Sequence, residues 1–311
     1  MSKMRKLLKD ISPLNNRTEM PVILYIIKVI IIFWFVKIGA ELIGEGFAIG
    51  LHFVCGKNPL RGELFDDGTI TLITYFGYGL MVGVVFLYWK LFQKKSLAEL
   101  GFCGKVGTYF AGVLAGTVLV LISAVSIVFT GAISYKGAFD NIDYVLIILM
   151  AGAFICQGAL EEVLCRGVVL QLLKDKVSPA VAVAVSTVLF VIPHLSQMAG
   201  ADRDIILLAV VCLVLISILF SLLTLRFKSI WAACGLHSAW NFILYNILGL
   251  NLSGKDVKTA AVFNMRSVGS NIYNGGVYGI EASIITAAVL AATVALLATI
   301  MKKKGVAEYG V

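Results

Sequence analysis

The stretch Gln157-Gly-Ala-Leu-Glu-Glu-Val-Leu-Cys-Arg-Gly-Val-Val-Leu170 sets two adjacent carboxylates, Glu161 and Glu162, and a cation, Arg166, inside an apolar run from about 142 to 173. A helix needs roughly 20 such residues to cross a bilayer. Charges at that depth are costly, so they face a protein interior or a wet cavity and mark function. Residues four apart share a helix face, so Glu162 and Arg166 can pair, while Glu161 points about 100° away. One carboxylate is held; the other stays free for chemistry.

Outward from this stretch, composition sets the class. The 311 residues are 59% hydrophobic and only 14% charged, with mean hydropathy +0.94; a soluble domain carries about 25% charged residues. The expected fold is all-α, a polytopic membrane protein. The net charge of +8 gathers in short loops and tails, where it sets topology, so no nucleic-acid partner is expected. The six cysteines include no C-x-x-C, and Cys156, Cys165, Cys212 and Cys234 lie in apolar runs. They read as small buried hydrophobes.

Eight apolar runs follow one another, at about 22–50, 69–92, 107–133, 142–173, 178–198, 204–224, 229–249 and 278–301. Lysines and arginines fill alternate connections, as at Lys90–Lys105, Lys174/Lys176 and Arg226/Lys228, which places both termini in the cytoplasm. The expected organisation is a cytoplasmic tail over 1–21 with a short surface helix at Met4–Lys9, one transmembrane domain over 22–301 with its core at about 142–249, and a cytoplasmic tail over 302–311. The first tail is too long and charged for the n-region of a signal peptide. Residues 250–277 form a long Gly- and Asn-rich connection, either a lid or a plain exposed loop. In the first run Lys37, Glu41 and Glu45 form a stripe at spacing four, and Lys28 lies earlier. Internal pairing is favoured there over a second polar site.

Two later runs supply the other polar groups. Phe190-Val-Ile-Pro-His194 puts an aromatic and an imidazole on one face, and His237-Ser-Ala-Trp-Asn241 does the same for a histidine and an amide. His194 and His237 are two of three histidines in the chain. The set suits hydrolysis: a carboxylate in low dielectric as base for water, a histidine to orient that water or bind metal, and His-plus-Asn donors for an oxyanion. Depth raises an objection. Along straight helices Glu161 lies about 18 Å from Lys174 and His237 about 13 Å from Lys228, but His194 about 27 Å from Lys176. A kink at Pro193, tilt, or helices projecting beyond the membrane must close that gap.

The order Glu-Glu-x-x-x-Arg, Phe-x-x-x-His, His-x-x-x-Asn resembles the CPBP family of intramembrane proteases, which includes CAAX prenyl endopeptidases and bacterial proteins of peptide processing or bacteriocin self-immunity. The motif core covers about 157–241. Softer similarity reaches Ser96–Phe102 and Gly275–Ser283, and the first run is not covered. The resemblance implies Glu161 as the base that activates water, His194 as its positioner, Glu162 with Arg166 as fixers of geometry, and His237 with Asn241 as oxyanion donors. Cys165 stands where members commonly carry an aromatic, a change of packing.

Cofactor use stays open at this point. There is no His-Glu-x-x-His; Glu161, His194 and His237 can make a three-ligand zinc site, and a metal-free glutamate-activated water, slightly favoured, uses the same residues. The implied partners are the bilayer and a peptide or protein tail, prenylated or not, and the sequence carries no sign of oligomeric state. The short, loop-poor chain suits a bacterial plasma membrane. A non-proteolytic scaffold in a peptide-sensing or immunity system is the alternative. A transporter is disfavoured because the two halves show no repeat.

Overall fold

The computed structural model describes residues 3–257 and 259–303; Lys258 and most of the expected C-terminal tail lie outside them. The chain opens with α1 (Lys3–Ile11), then α2 (Val22–Val54) and α3 (Asp67–Tyr88), which ends in a π turn, Trp89–Gln93. Next come α4 (Gly107–Phe129), the strand β1 (Ile133–Ala138) and α5 (Tyr144–Glu162), which runs through a π segment, Val163–Val169, into α6 (Leu170–Leu173). The last part holds α7 (Pro179–Val191) with a 3-10 extension Ile192–Met198, α8 (Arg203–Phe227), α9 (Trp231–Phe242) with a π turn Ile243–Ile247, β2 (Phe263–Ser267) and α10 (Ile284–Lys303).

Among the described residues seven helices are long and apolar enough to cross a membrane, and the protein is a multi-pass helical membrane protein. The eighth expected run, 229–249, is the exception. Its helix, Trp231 to Ile247 with the π turn, is shorter than those seven and lies at the lower end of what a span needs. It is also almost wholly buried. Gly112 and Gly116 of α4 let that helix lie backbone to backbone on α9, since a Cβ at either would strike the backbone of Ala232 or Leu236. Gly235 of α9 meets Tyr109 in the same way, and Gly158 of α5 meets Ser238 from the other side. Small residues at such crossings are how helices approach closely in lipid. They wedge α9, with His237 and Asn241, between α4 and α5.

One departure from an all-helical chain accompanies this. β1 and β2 pair antiparallel, Ile133 opposite Ser267 and Tyr135 opposite Met265, with a bulge before Ala138. The 250–277 connection is therefore structured rather than a plain loop: it supplies β2, buries Leu250 and Leu252, and covers one side of the site described next. At the other end Lys28, buried within α2, donates to Asn15 Oδ1 and the Arg17 carbonyl, both at 2.8 Å. Its charge ties the N-terminal segment to the bundle.

Candidate active site

The glutamates sit where α5 changes geometry. Val163–Val169 is a π segment, the kind of insertion that collects at functional sites. Widening the helix leaves carbonyls without their usual i+4 donors; Ser186 Oγ donates to the Cys165 carbonyl at 2.9 Å and Gln171 Nε2 to that of Arg166 at 3.2 Å. Cys165 itself is buried in the core.

Glu162 and Arg166 are both fully buried and pair at 3.3 Å. The guanidinium also donates to the Ser217 carbonyl and Oγ, each at 2.7 Å. It lies beside two aromatic rings, 4.8 Å from the centroid of Phe190 and 5.1 Å from that of Phe220. Glu162 Oε1 is 3.0 Å from His237 Nδ1, and the His237 ring stacks on Phe220 at 5.0 Å. Arg166, Glu162 and His237 thus form one chain that fixes the imidazole.

Glu161 faces the other way, into open space. Its Oε1 accepts from Gln157 Nε2 at 2.7 Å, while its Oε2 is buried with no hydrogen-bond partner. Two ring nitrogens approach that oxygen, His194 Nε2 at 3.7 Å and His237 Nε2 at 3.9 Å. The tautomers follow from the far side of each ring. His194 Nδ1 lies 2.8 Å from the Phe190 carbonyl, which can only accept, and His237 Nδ1 faces a carboxylate. In a neutral imidazole each Nδ1 carries the proton, so each Nε2 offers a lone pair. Three acceptors therefore converge on one spot, at separations too long for direct hydrogen bonds. The spot calls for a donor.

The depth objection is resolved by direction as well as by the predicted break at Pro193. Helix α7 starts at Pro179, capped by Ser178, so His194 is about 22 Å along it rather than 27 Å. Side chains lean toward their own helix N-terminus. α5 and α7 run in opposite senses across a short turn, so Glu161 and His194 lean toward each other. Beyond Val191 the α-helix gives way to 3-10 turns, where Pro193 has no amide to continue it.

All seven residues expected at the site, Glu161, Glu162, Arg166, His194, His237, Asn241 and the supporting Phe190, come together around this spot. Asn241 differs in detail: its Nδ2 donates to Gln157 Oε1 at 2.7 Å. His52, the third histidine, lies elsewhere, against Phe65. Four further contributors escape sequence reasoning. Gln157 opens the decisive stretch with no role assigned, Ser217 and Phe220 lie in an apolar run, and Glu281 lies far along the chain. Glu281 accepts from Trp240 Nε1 at 3.2 Å and from the Ser253 amide and Oγ at 2.6 and 3.0 Å. Burial pushes its carboxyl above the usual range, opposed by those hydrogen bonds.

Two cavities share the wall made by Tyr78, Gln157, Glu161, Phe190, His194 and Gln197. The first, about 110 Å³, extends past His237, Asn241 and Trp240 to Ser253, Lys255 and Glu281. The second, about 220 Å³, extends to Phe33, Lys37, Glu41 and Pro193. Lys37 and Glu41 pair as expected, but they pair on a cavity wall next to the site. Among the described residues no group of three or more His, Cys, Asp or Glu is closed into a metal site; Glu161, His194 and His237 are a looser set.

Residues 143–243 match the family described as Rce1-like, type II CAAX prenyl endopeptidase. Over this segment, about a third of the chain, the sequence is similar to that family. That segment spans α5 to α9 and contains all seven expected site residues, while α2 with its Lys37–Glu41 pair and Glu281 lie outside it. No curated protein and no solved structure gives a match to the chain.

Proposed function

We propose that the protein is an intramembrane endopeptidase that hydrolyses a peptide bond in a membrane-associated peptide or protein tail through a water activated by Glu161. The observation that carries this is the convergence of Glu161 Oε2, His194 Nε2 and His237 Nε2 on one buried spot. A water placed there gives one proton to Glu161 and is steered by an imidazole, which leaves an oxygen lone pair for the carbonyl carbon. As that bond forms, the carbonyl oxygen gains charge. If its ring takes up a second proton, His237, backed by the buried Glu162, donates to it through Nε2 in place of the acceptor role of the neutral ring. The proton on Glu161 then passes to the leaving amine.

The two cavities on either side of Glu161 suit the two halves of a cleaved chain. In this reading residues 22–301 work as one transmembrane domain with its core at about 142–249, in a bacterial plasma membrane with both termini cytoplasmic. The orphan oxygen and two ring nitrogens are also the donor chemistry that zinc takes. A zinc ion held by Glu161, His194 and His237 would supply a Lewis acid at the same spot.

The test uses the full chain in lipid nanodiscs with a fluorogenic farnesylated peptide ending in Cys-aliphatic-aliphatic-X and its unmodified twin. Wild type is expected to cut one or both, and Glu161→Gln to lose activity by at least about 10³-fold with its fold intact. Cleavage by Glu161→Gln would remove Glu161 as base. Loss of cleavage on chelation, restored by zinc, would select the metal form. If wild type cuts neither peptide yet binds them, a non-proteolytic scaffold takes over.

A further inference from the structure

We propose that Gln157 is a positioning residue for Glu161, and that Asn241 orients Gln157 through one of its two amide hydrogens. This rests on the hydrolytic reading above.

A carboxamide is directional: one end accepts and the other donates. Asn241 Nδ2 donates to Gln157 Oε1 at 2.7 Å, and Gln157 Nε2 donates to Glu161 Oε1 at 2.7 Å. Asn241 therefore dictates which way the Gln157 amide faces. With its oxygen claimed from α9, its nitrogen must face the carboxylate; flipped, it would press oxygen against oxygen. Both amide residues are buried, Gln157 9% and Asn241 5% exposed, so a mismatch would not be repaired by water.

The consequence falls on Glu161. Its side chain lines both cavities and is 29% exposed, so packing alone does not choose its direction. Anchoring Oε1 leaves Oε2 as the one oxygen presented to His194 and His237. The pairing of α5 with α9 then occurs twice. Arg166 and Glu162 orient the His237 imidazole, and Asn241 and Gln157 orient the Glu161 carboxylate. Helix spacing supports the second relay as it does the first, because Gln157 is one turn before Glu161 and Asn241 one turn after His237.

The experiment is a double-mutant cycle on the full chain in nanodiscs with the farnesylated peptide. Gln157→Met keeps size and removes both amide ends; Asn241→Asp keeps shape and removes the donor. Each is expected to lower kcat about 100-fold through misplacement of the carboxylate, with KM within about two-fold. The double variant is expected to be no slower than the slower single one, since both break the same relay. A multiplied loss of about 10⁴-fold would show that Asn241 acts independently, and would overturn the proposal. So would a loss confined to KM, or single variants as fast as wild type. If Gln157→Met does not reach the membrane, Gln157→Asn, which shortens the side chain and keeps the amide, takes its place in the cycle with the same outcomes. Wild type that binds the peptide without cutting it would sink the hydrolytic reading, and this proposal with it; the other failures sink the relay only.

Discussion

Two pairs of opposite charge at spacing four lie within apolar helices of this chain, and the fold treats them differently. Glu162–Arg166 on α5 is fully buried, with side chains 0% exposed on both partners. Lys37–Glu41 on α2 is 20% and 45% exposed and lines a cavity. In sequence the two look alike. The difference is in what surrounds the cation. Arg166 has Ser217 and two aromatic faces beside its carboxylate. The structure gives Lys37 Glu41 and, at 6.0 Å, the Trp34 ring. The first pair is enclosed by protein on all sides, and the second borders open space next to Glu161.

The largest effect expected from breaking this contrast is at Arg166. Arg166→Met strands Glu162 in the core, and removing one partner of a buried pair costs about 3–5 kcal/mol. Thermal unfolding in detergent and membrane yield should both fall sharply; a change no larger than that of Lys37→Met would erase the distinction. Next is Glu162→Gln, which keeps shape but weakens the hold on His237. Peptide cleavage should drop about 100-fold with a smaller loss of stability, and a stability loss without a rate loss would make Glu162 purely structural. Lys37→Met should shift stability by no more than about 1 kcal/mol. Its effect belongs in KM, by a few-fold, and a kcat effect would bring Lys37 into the chemistry. Glu41→Gln, on the more exposed partner, should change both by less than Lys37→Met, in the same paired assays.

Much of this site was legible because helical period does the bookkeeping. Spacing four predicted the Glu162–Arg166 pair, the Phe190–His194 face and the His237–Asn241 face, and left Glu161 pointing elsewhere. What spacing does not carry is contact between helices. Gln157 precedes Glu161 by one turn, yet only Asn241 arriving from α9 gives its amide a direction. Ser217 and Phe220 sit in an apolar stretch of α8 that reads as a span like any other. Glu281 reaches the first cavity only because the 250–277 segment folds back through Ser253.

The sequence by itself determined the medium, most of the spans and the chemical inventory, because hydropathy and helical period are local properties. Tertiary structure decided three things that local properties leave open. It put α9 at the centre of the bundle, since its glycine and those of α4 and α5 let the helix backbones approach closely. It brought His194 level with Glu161, since side chains on antiparallel helices lean toward each other. It also sorted two like-spaced ion pairs into a scaffold and a cavity wall, since burial and partners belong to neighbouring helices.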